Sequence, residues 1–364
     1  MSEWKEYKLG EIASFKTGKL NSNAAVENGK YPFFTCSPIT LSIDEYAYDQ
    51  KAILLAGNNA EGNFSIKYYE GKFNAYQRTY IIWSDEQICD LKFLYYSLKL
   101  CLQEFKQISQ GTSTRFLTAV ILSDFKILLP PLDIQHSIAT TLSSLDNKID
   151  LLRRENAILE AMAETLFRQW FVVEAKEEWE EKPLSSIATF LNGLACQKYP
   201  PKNEIDKLPV LKIRELSSGI GNDSDWATTD VGKEYIVRAG DVIFAWSASL
   251  MVKIWDGEDC ILNQHLFKVT SDKYPKWFYY FWCKHHLNEF ISIAQSHATT
   301  MGHIKRGDLD TAMVLVPSDE ELLSMTEKME GLLKKMENNN EQINTLVQTR
   351  DRLLPRLMGG EIKI

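Results

Sequence analysis

The sequence predicts an α+β protein in which two globular domains alternate with two long α-helices that pair as an antiparallel coiled coil. Two observations support this prediction. The chain repeats itself once, and each copy ends in a heptad pattern of apolar residues. The predicted parts, in order, are a globular domain over residues 1–130, a long helix over 131–175, a second globular domain over 176–317 and a second long helix over 318–364.

The repeat is visible as sequence patterns that return at a nearly constant distance. The pattern over 9–18 returns 175 residues later at 184–193, and the pattern over 112–130 returns 187 residues later at 299–317. This period is too long for a solenoid and indicates duplication of a whole domain with its following helix. Because the chain passes through a whole domain between the helices, we expect pseudo-two-fold symmetry and antiparallel helices.

Each predicted helix has apolar residues at alternating spacings of four and three, the seam of a coiled coil. The first seam is Ile138, Leu142, Leu145, Ile149, Leu152, Asn156, Leu159, Ala163, Leu166 and Trp170. The second is Met325, Met329, Leu332, Met336, Asn339, Ile343, Leu346, Arg350, Leu353 and Leu357. The seam residues Asn156 and Asn339 are expected to fix the register, and Pro355 predicts a kink or an end of the second helix. The alternative is that each helix packs only on its own domain.

Composition sets broad limits on function. The 364 residues include 41 Lys and Arg and 49 Asp and Glu, and a net charge of −8 argues against a protein that coats nucleic acid by bulk charge. The helical segments 131–178 and 318–364 carry −4 and −2 of it, whereas 1–130 is neutral. The six cysteines are scattered and predict free thiols. With neither a signal peptide nor an apolar run of membrane-spanning length, we expect a cytoplasmic protein with no membrane contact.

Motifs of catalysis are missing from the sequence. It contains no Gly-x-Gly-x-x-Gly, no Walker loop, no His-Glu-x-x-His and no Asn-Pro-Pro-aromatic tetrad of amino-methyltransferases. We therefore expect a non-catalytic chain without a metal site. Its long polar loops suit binding rather than chemistry.

Two pairs of polar segments are candidates for reading base edges and holding phosphates. Gln and Arg side chains pair bidentately with adenine and guanine, and small hydroxyl residues donate to phosphates. In the first domain the candidates are Gln77, Arg78, Thr112, Ser113, Thr114 and Arg115. In the second they are Gln264, His265, Thr299, Thr300, His303 and Lys305. For any single residue, the alternative is ordinary turn and cap chemistry.

The order of domains and helices resembles the specificity subunit of type I restriction–modification systems. The segments that carry the resemblance over the whole chain are 7–13 and its echo 182–188, 73–78, 129–135 and 352–360. Ile134 stands where the family usually has an acidic residue, and the second helix start at 316–321 lacks the Pro-Pro and Gln of the first.

The resemblance implies that each domain reads one half of an asymmetric, bipartite site in double-stranded DNA, while the helix pair sets the spacer. It implies two methyltransferase subunits that carry S-adenosylmethionine, and restriction subunits that use ATP and Mg. Exposed helix residues, including Arg153, Arg154 and Lys335, are candidates for partner binding. A structural coiled-coil adaptor without DNA recognition is the main alternative, and the specificity portion of a fused restriction enzyme is a further one.

Overall fold

The computed structural model describes residues 4–111, 113–221, 223–296 and 302–362. The chain forms two compact units. Unit 1 comprises residues 1–149 and 345–364, and unit 2 comprises residues 150–344. Each unit therefore combines one globular domain with a section of each long helix.

Unit 1 contains the first ten strands. They are β1 (Lys5–Lys8), β2 (Ala13–Thr17), β3 (Tyr31–Phe34), β4 (Leu41–Ile43), β5 (Tyr48–Ala56), β6 (Asn58–Asn59), β7 (Ile66–Ala75), β8 (Thr79–Ser84), β9 (Arg115–Phe116) and β10 (Lys126–Leu129). Its helices are α1 (Leu9–Ile12), α2 (Leu91–Leu100), α3 (Leu102–Ile108), α4 (Ala119–Asp124) and the first part of α5 (Leu132–Arg168).

The main sheet of unit 1 has the strand order β2-β8-β5-β7-β3-β4. Its pairs are antiparallel except β3 with β7, which run parallel with Phe33 opposite Asn74. Strands β1 and β10 pair separately and bring the two ends of the domain together at the start of α5. There the buried Gln135 side chain donates to Pro130 O at 2.9 Å and accepts from Asp90 N at 2.9 Å, which fixes the first turn of α5 to the domain.

Unit 2 contains the remaining strands. They are β11 (Glu180–Pro183), β12 (Thr189–Asn192), β13 (Lys207–Leu211), β14 (Trp226–Thr228), β15 (Ile236–Val237), β16 (Val242–Ala245), β17 (Met251–Ile254), β18 (Cys260–Leu262), β19 (Leu266–Thr270) and β20 (Met313–Val316). Its helices are α6 (Leu184–Ile187), α7 (Ile213–Ser218), α8 (Lys276–His285), α9 (Leu287–Ser296), α10 (Arg306–Thr311) and most of α11 (Asp319–Met358).

The second domain divides the sheet of the first into two. One sheet has the order β12-β19-β16-β17 and the other β14-β13-β18-β15, in which β13 and β18 run parallel. Helix α8 supplies the largest side chains of the core, and Trp277, Phe278 and Phe281 are each at most 1% exposed. This aromatic run is therefore structural, because rings buried to this extent are unavailable for stacking on bases.

The long helices pack against each other within unit 2. Asn339 is fully buried, and its amide nitrogen donates to Asn156 Oδ1 at 2.9 Å and to Glu155 Oε2 at 3.0 Å. Asn156 in turn donates to Asn340. Near the start of α11, Lys176 pairs with Glu321, so the residue numbers fall on one partner as they rise on the other. The antiparallel pairing and the contact between the two seam asparagines are confirmed.

The helices also meet within unit 1, through a charged contact. Arg350 Nη1 lies 2.8 Å from Asp146 Oδ1, and the Tyr96 hydroxyl donates to Asp146 Oδ2 at 2.7 Å. Burial, first, and then the hydrogen bond to Asp146 raise the pKa of Tyr96 far above its ordinary value. Leu354 and Leu357 of α11 are buried in the core of the first domain.

Helix α11 begins with a capping box and does not end at its proline. The Ser318 hydroxyl and the Glu321 carboxylate bond each other's backbone N–H groups at 3.4 and 3.1 Å. The helix continues through Pro355 to Met358, so the expected end at Pro355 is wrong. The burial of Leu354 and Leu357 on either side outweighs the one backbone hydrogen bond that proline removes.

Candidate nucleic-acid interface

In the first domain a tight turn presents Gln77 and Arg78. Thr79 N donates to Tyr76 O at 2.9 Å and closes the turn immediately before β8. Gln77 N donates to Leu20 O at 2.8 Å, which holds the turn against the preceding loop. Both central side chains are exposed, as a residue that reads a base edge must be.

A glycine connects this turn to the second predicted segment. Gly57 N donates to Arg78 O at 2.8 Å, and Leu117 N donates to Gly57 O at 2.9 Å. A Cβ at position 57 would lie 2.5 Å from Arg78 O, so only glycine allows this approach. The contact places the Arg78 guanidinium over the Phe116 ring, 5.5 Å from its centroid.

The loop 110–116 carries the other candidates of this domain. Gln110 and Phe116 exchange backbone hydrogen bonds at 3.0 and 2.7 Å and close the loop. Ser113 is exposed, and Thr114 and Arg115 are half-buried. Arg115 donates to Ser109 O at 3.2 Å, so part of its capacity holds the loop itself. Thr112 lies outside the described residues.

The second domain repeats this frame. Leu266 N donates to Asn263 O at 3.0 Å, and Gln264 N donates to Leu194 O at 2.8 Å, so Gln264 and His265 occupy the central positions of the same turn. Trp246 stands in place of Gly57. Its N–H donates to His265 O at 3.4 Å, and its carbonyl accepts from Ile304 N at 3.1 Å. The predicted equivalence of the two turns is confirmed by these matching contacts.

Aromatic rings fill the space that is open in the first domain. The Trp246 ring stacks on Phe267 at 5.7 Å, and its Nε1 donates to Asn192 Oδ1 at 3.1 Å. The rings of His265 and His303 lie 5.8 and 6.3 Å from it. The structure thus brings together three of the predicted residues, because Gln264 adjoins His265.

The remaining candidates of the second domain are less central or undescribed. Lys305 is exposed and precedes α10, where its backbone N–H donates to Asp308 at 2.6 Å. Thr299 and Thr300 lie outside the described residues. Within the described ranges, no group of three or more His, Cys, Asp or Glu side chains is arranged to hold a metal ion.

Several groups in these sites were not predicted from the sequence. They are Asn58, Asn59 and Phe116 in the first domain, and Asn192, Trp246 and Ser247 in the second. Asn59 and Asn58 pair with Arg115 and Phe116 as strands β6 and β9. Ser247 pairs with His303 in the same way. The polar run 57–63 was the available signal, but nothing in it indicated that it lies beside Arg78.

The predicted partner-binding residues all lie in unit 2. Arg153 lies 3.9 Å from Asp150 and Arg154 donates to the Asp150 carbonyl at 3.4 Å, so both stay on the surface of their own helix. Lys335 lies 3.4 Å from Glu155 of the other helix. Lys335 therefore supports the helix pair as well as facing solvent.

The sequence and fold match one protein family. The family described as "Type I restriction modification DNA specificity domain" matches residues 1–161 and 176–348. The match covers most of the chain in two copies that coincide with the repeat. The chain belongs to this family.

Curated relatives carry the same description. The chain is 36% identical over 239 residues to the type I restriction enzyme EcoDI specificity subunit of Escherichia coli, which covers 63% of this chain and 48% of that protein. It is 25% identical over 311 residues to the MjaIX specificity subunit of Methanocaldococcus jannaschii, over 78% of this chain and 71% of that one. The match thus spans about half the length of the first relative.

A solved structure supports the fold over nearly the whole chain. The S subunit of a type I restriction–modification system from M. genitalium aligns with a TM-score of 0.61 over 98% of this chain and 96% of that one, at 16% identity. This similarity confirms the predicted fold of two mixed domains and long helices. In the described part of the chain, no helix has an apolar stretch long enough to cross a membrane.

Proposed function

We propose that this chain is the DNA sequence-specificity subunit of a type I restriction–modification complex, with each globular domain reading one half of an asymmetric bipartite site. One observation carries the proposal. Both domains of a family defined by DNA specificity present the same turn with different side chains, Gln77 and Arg78 in one and Gln264 and His265 in the other.

The side chains at the two turns are suited to different bases. An exposed arginine pairs bidentately with the O6 and N7 atoms of guanine, and a glutamine pairs with the N6 and N7 atoms of adenine. Neutral histidine offers one donor and one acceptor. Because only one turn carries arginine, two half-sites of different sequence are the expected target.

The helix pair sets the spacer between the half-sites in this proposal. A four-residue insertion in the pair is expected to change the tolerated spacer while both half-sites stay the same. Unchanged spacing with altered half-sites would contradict the role. Two methyltransferase subunits dock on the helices, for which Arg153, Arg154 and Lys335 are our candidates.

The chemistry belongs to the partners. The chain itself is non-catalytic in this proposal, the methyltransferase subunits bind S-adenosylmethionine, and restriction subunits supply ATP- and Mg-dependent steps. Since the chain is acidic overall, at −8, the partners also supply much of the phosphate affinity.

The test is sequencing of DNA methylation across the host genome with and without this gene. We expect one bipartite motif to be methylated only when the gene is present. A quadruple variant, with Gln77, Arg78, Gln264 and His265 all changed to Ala, is expected to lose the motif while still co-purifying with a methyltransferase. An unchanged methylation pattern after deletion would contradict the proposal and favour the adaptor.

A further inference from the structure

His265 is held by two side chains that define its protonation state. Its Nδ1 lies 3.2 Å from Ser247 Oγ, and its Nε2 lies 3.3 Å from the amide nitrogen of Gln264. Because an amide nitrogen only donates, Nε2 must accept, and the ring proton sits on Nδ1 and points to the Ser247 hydroxyl. The arrangement is therefore that of a neutral imidazole.

The neutral ring fixes how Gln264 faces outward. One amide hydrogen is used on His265, and within the described ranges no hydrogen bond occupies Gln264 Oε1. The half-exposed side chain thus offers an acceptor beside a second donor. That is the pattern that pairs with adenine, whose N6 donates and whose N7 accepts.

A proton on His265 reverses this pattern. Both ring nitrogens then donate, and Nε2–H opposes the amide N–H groups of Gln264. A half-turn of the amide relieves the conflict, because Oε1 then accepts from Nε2 and the NH₂ group turns outward. An amide that presents donors alone matches the two acceptors of guanine, O6 and N7.

We propose that His265 is a specificity-determining residue that switches the base preference of Gln264 from adenine to guanine when it takes up a proton. This inference rests on the proposed function, because it assigns one position of the second half-site. Imidazole changes charge between about pH 5 and pH 8, so the switch operates under ordinary conditions.

The groups around His265 define the background against which it titrates. Trp246 and Ser247 at the end of β16, Asn263 in the turn and Asn192 of β12 are uncharged at neutral pH. His303 lies across Trp246, and Arg306 of α10 lines the same cleft. Both are cations when protonated, and the described residues bring no carboxylate into contact with His265.

The first domain lacks the device and serves as an internal control. Its Gln77 amide donates to Asn21 Oδ1 at 2.8 Å, and neither group titrates. Arg78, at the place of His265, is charged at all working pH values. The preference at the first half-site therefore stays constant where that at the second half-site changes.

The test is selection of a random duplex library by the full chain in complex with its methyltransferase partner, at about pH 8 and about pH 5.5. We expect the preference for adenine over guanine at one position of the second half-site to fall about tenfold or more at the lower pH. The first half-site stays unchanged. Two recovered half-sites that are identical at both pH values overturn the switch alone, whereas recovery of no specific sequence overturns the proposed function with it.

Three variants assign the effect. His265→Gln is expected to remove the pH dependence, with His265→Asn as a second non-titrating replacement should the first not fold. His303→Gln is the matched control in the same site, and His297→Gln tests a histidine outside the described residues. Both should retain the switch. A switch that survives His265→Gln and disappears with His303→Gln or His297→Gln overturns the assignment to His265.

Discussion

The two globular domains place different side chains on one backbone frame. In each, a tight turn before a strand accepts a hydrogen bond from the end of the neighbouring strand, from Gly57 in the first domain and from Trp246 in the second. The first site is open and carries a guanidinium over a phenyl ring. The second is packed with aromatic and imidazole rings. The comparison teaches that the frame decides where reading groups lie, and the side chains decide what they read.

The two helix sections differ in the same manner. In unit 1 the seam is closed by Arg350, Asp146 and Tyr96, and in unit 2 by asparagines. Exchanging partners between the sections would leave a buried polar group unpaired, at a cost of about 1–3 kcal/mol. The sections therefore stabilise one register and are not interchangeable.

The largest expected effect is from breaking the charged contact of unit 1. Arg350→Ala leaves Asp146 facing only the Tyr96 hydroxyl, and the side chains of Arg350 and Asp146 are 16% and 24% exposed. We expect a loss of about 3 kcal/mol in the stability of unit 1, at the low end for a buried pair because some water reaches it. Hydrogen exchange by mass spectrometry measures it, with Arg352→Ala as the exposed control. Equal protection in both variants would contradict the role.

Breaking the asparagine contact of unit 2 is expected to cost somewhat less. Asn339→Ala removes two hydrogen bonds and leaves Asn156 Oδ1 and Glu155 without that donor, for about 2 kcal/mol. Asn338→Ala, one residue earlier and exposed, should be neutral or slightly stabilising. The measurement is amide exchange in α5 and α11 of each unit. Destabilisation by the two variants alike would refute a specific role of Asn339.

A smaller effect, dependent on pH, is expected where α8 meets α5. Lys284 lies 2.9 Å from Glu160, which also accepts from Tyr280. Burial alone would raise the pKa of Glu160, but the hydrogen bonds from Tyr280 and Lys284 hold it below its ordinary value. Burial likewise lowers the pKa of Lys284, but the bonds to Glu160 and Glu164 outweigh it and raise the pKa above its ordinary value.

The sign of the pH dependence follows from these two shifts. The carboxylate contribution is present above the unfolded glutamate pKa of about 4.3 and is lost as pH falls through the lower folded value. The lysine contribution is complete below about pH 10.4 and is lost above the raised folded value. Lys284→Met should therefore cost about 1 kcal/mol at pH 7 and much less below about pH 4. Urea unfolding at both pH values checks this, and an equal cost at both would contradict it.

The smallest effect is expected at the ring beneath Arg78. Phe116→Leu keeps the apolar contact but removes the cation–π attraction, and we expect about 0.5 kcal/mol of lost DNA affinity at the first half-site only. Competition binding against half-site variants measures it. Trp246→Leu, the change at the aromatic centre of the other site, should leave the first half-site unaffected. A loss at the first half-site with Trp246→Leu would break the separation between the domains.

The sequence was sufficient to predict the architecture because its signals are periodic. The heptad spacing predicted both helices and the contact of Asn156 with Asn339, and the constant offset of 187 placed Gln264 with Gln77 and His265 with Arg78. Pro355 was misjudged because a local rule about proline competes with burial of Leu354 and Leu357, which depends on the folded domain.

The rest of each site depends on contacts that the sequence does not display. Trp246 corresponds to Gly57 at an offset of 189 rather than 187, because the second copy carries extra residues between the matching patterns. A glycine and a tryptophan share no pattern, and only the backbone hydrogen bonds reveal their equivalence. Asn58 and Asn192 were missed for the same reason, since their places follow from strand pairing and from the Trp246 side chain.

The most direct test of the account is a comparison of two double variants in the same selection. The full chain with its methyltransferase partner selects from a random duplex library as wild type, as Gln77→Ala with Arg78→Ala, and as Gln264→Ala with His265→Ala. We expect the first pair to relax only one half-site and the second pair only the other, each by about 1–3 kcal/mol per base pair read. Relaxation of both half-sites by either pair, or of neither, would contradict the claim that each domain reads its own half.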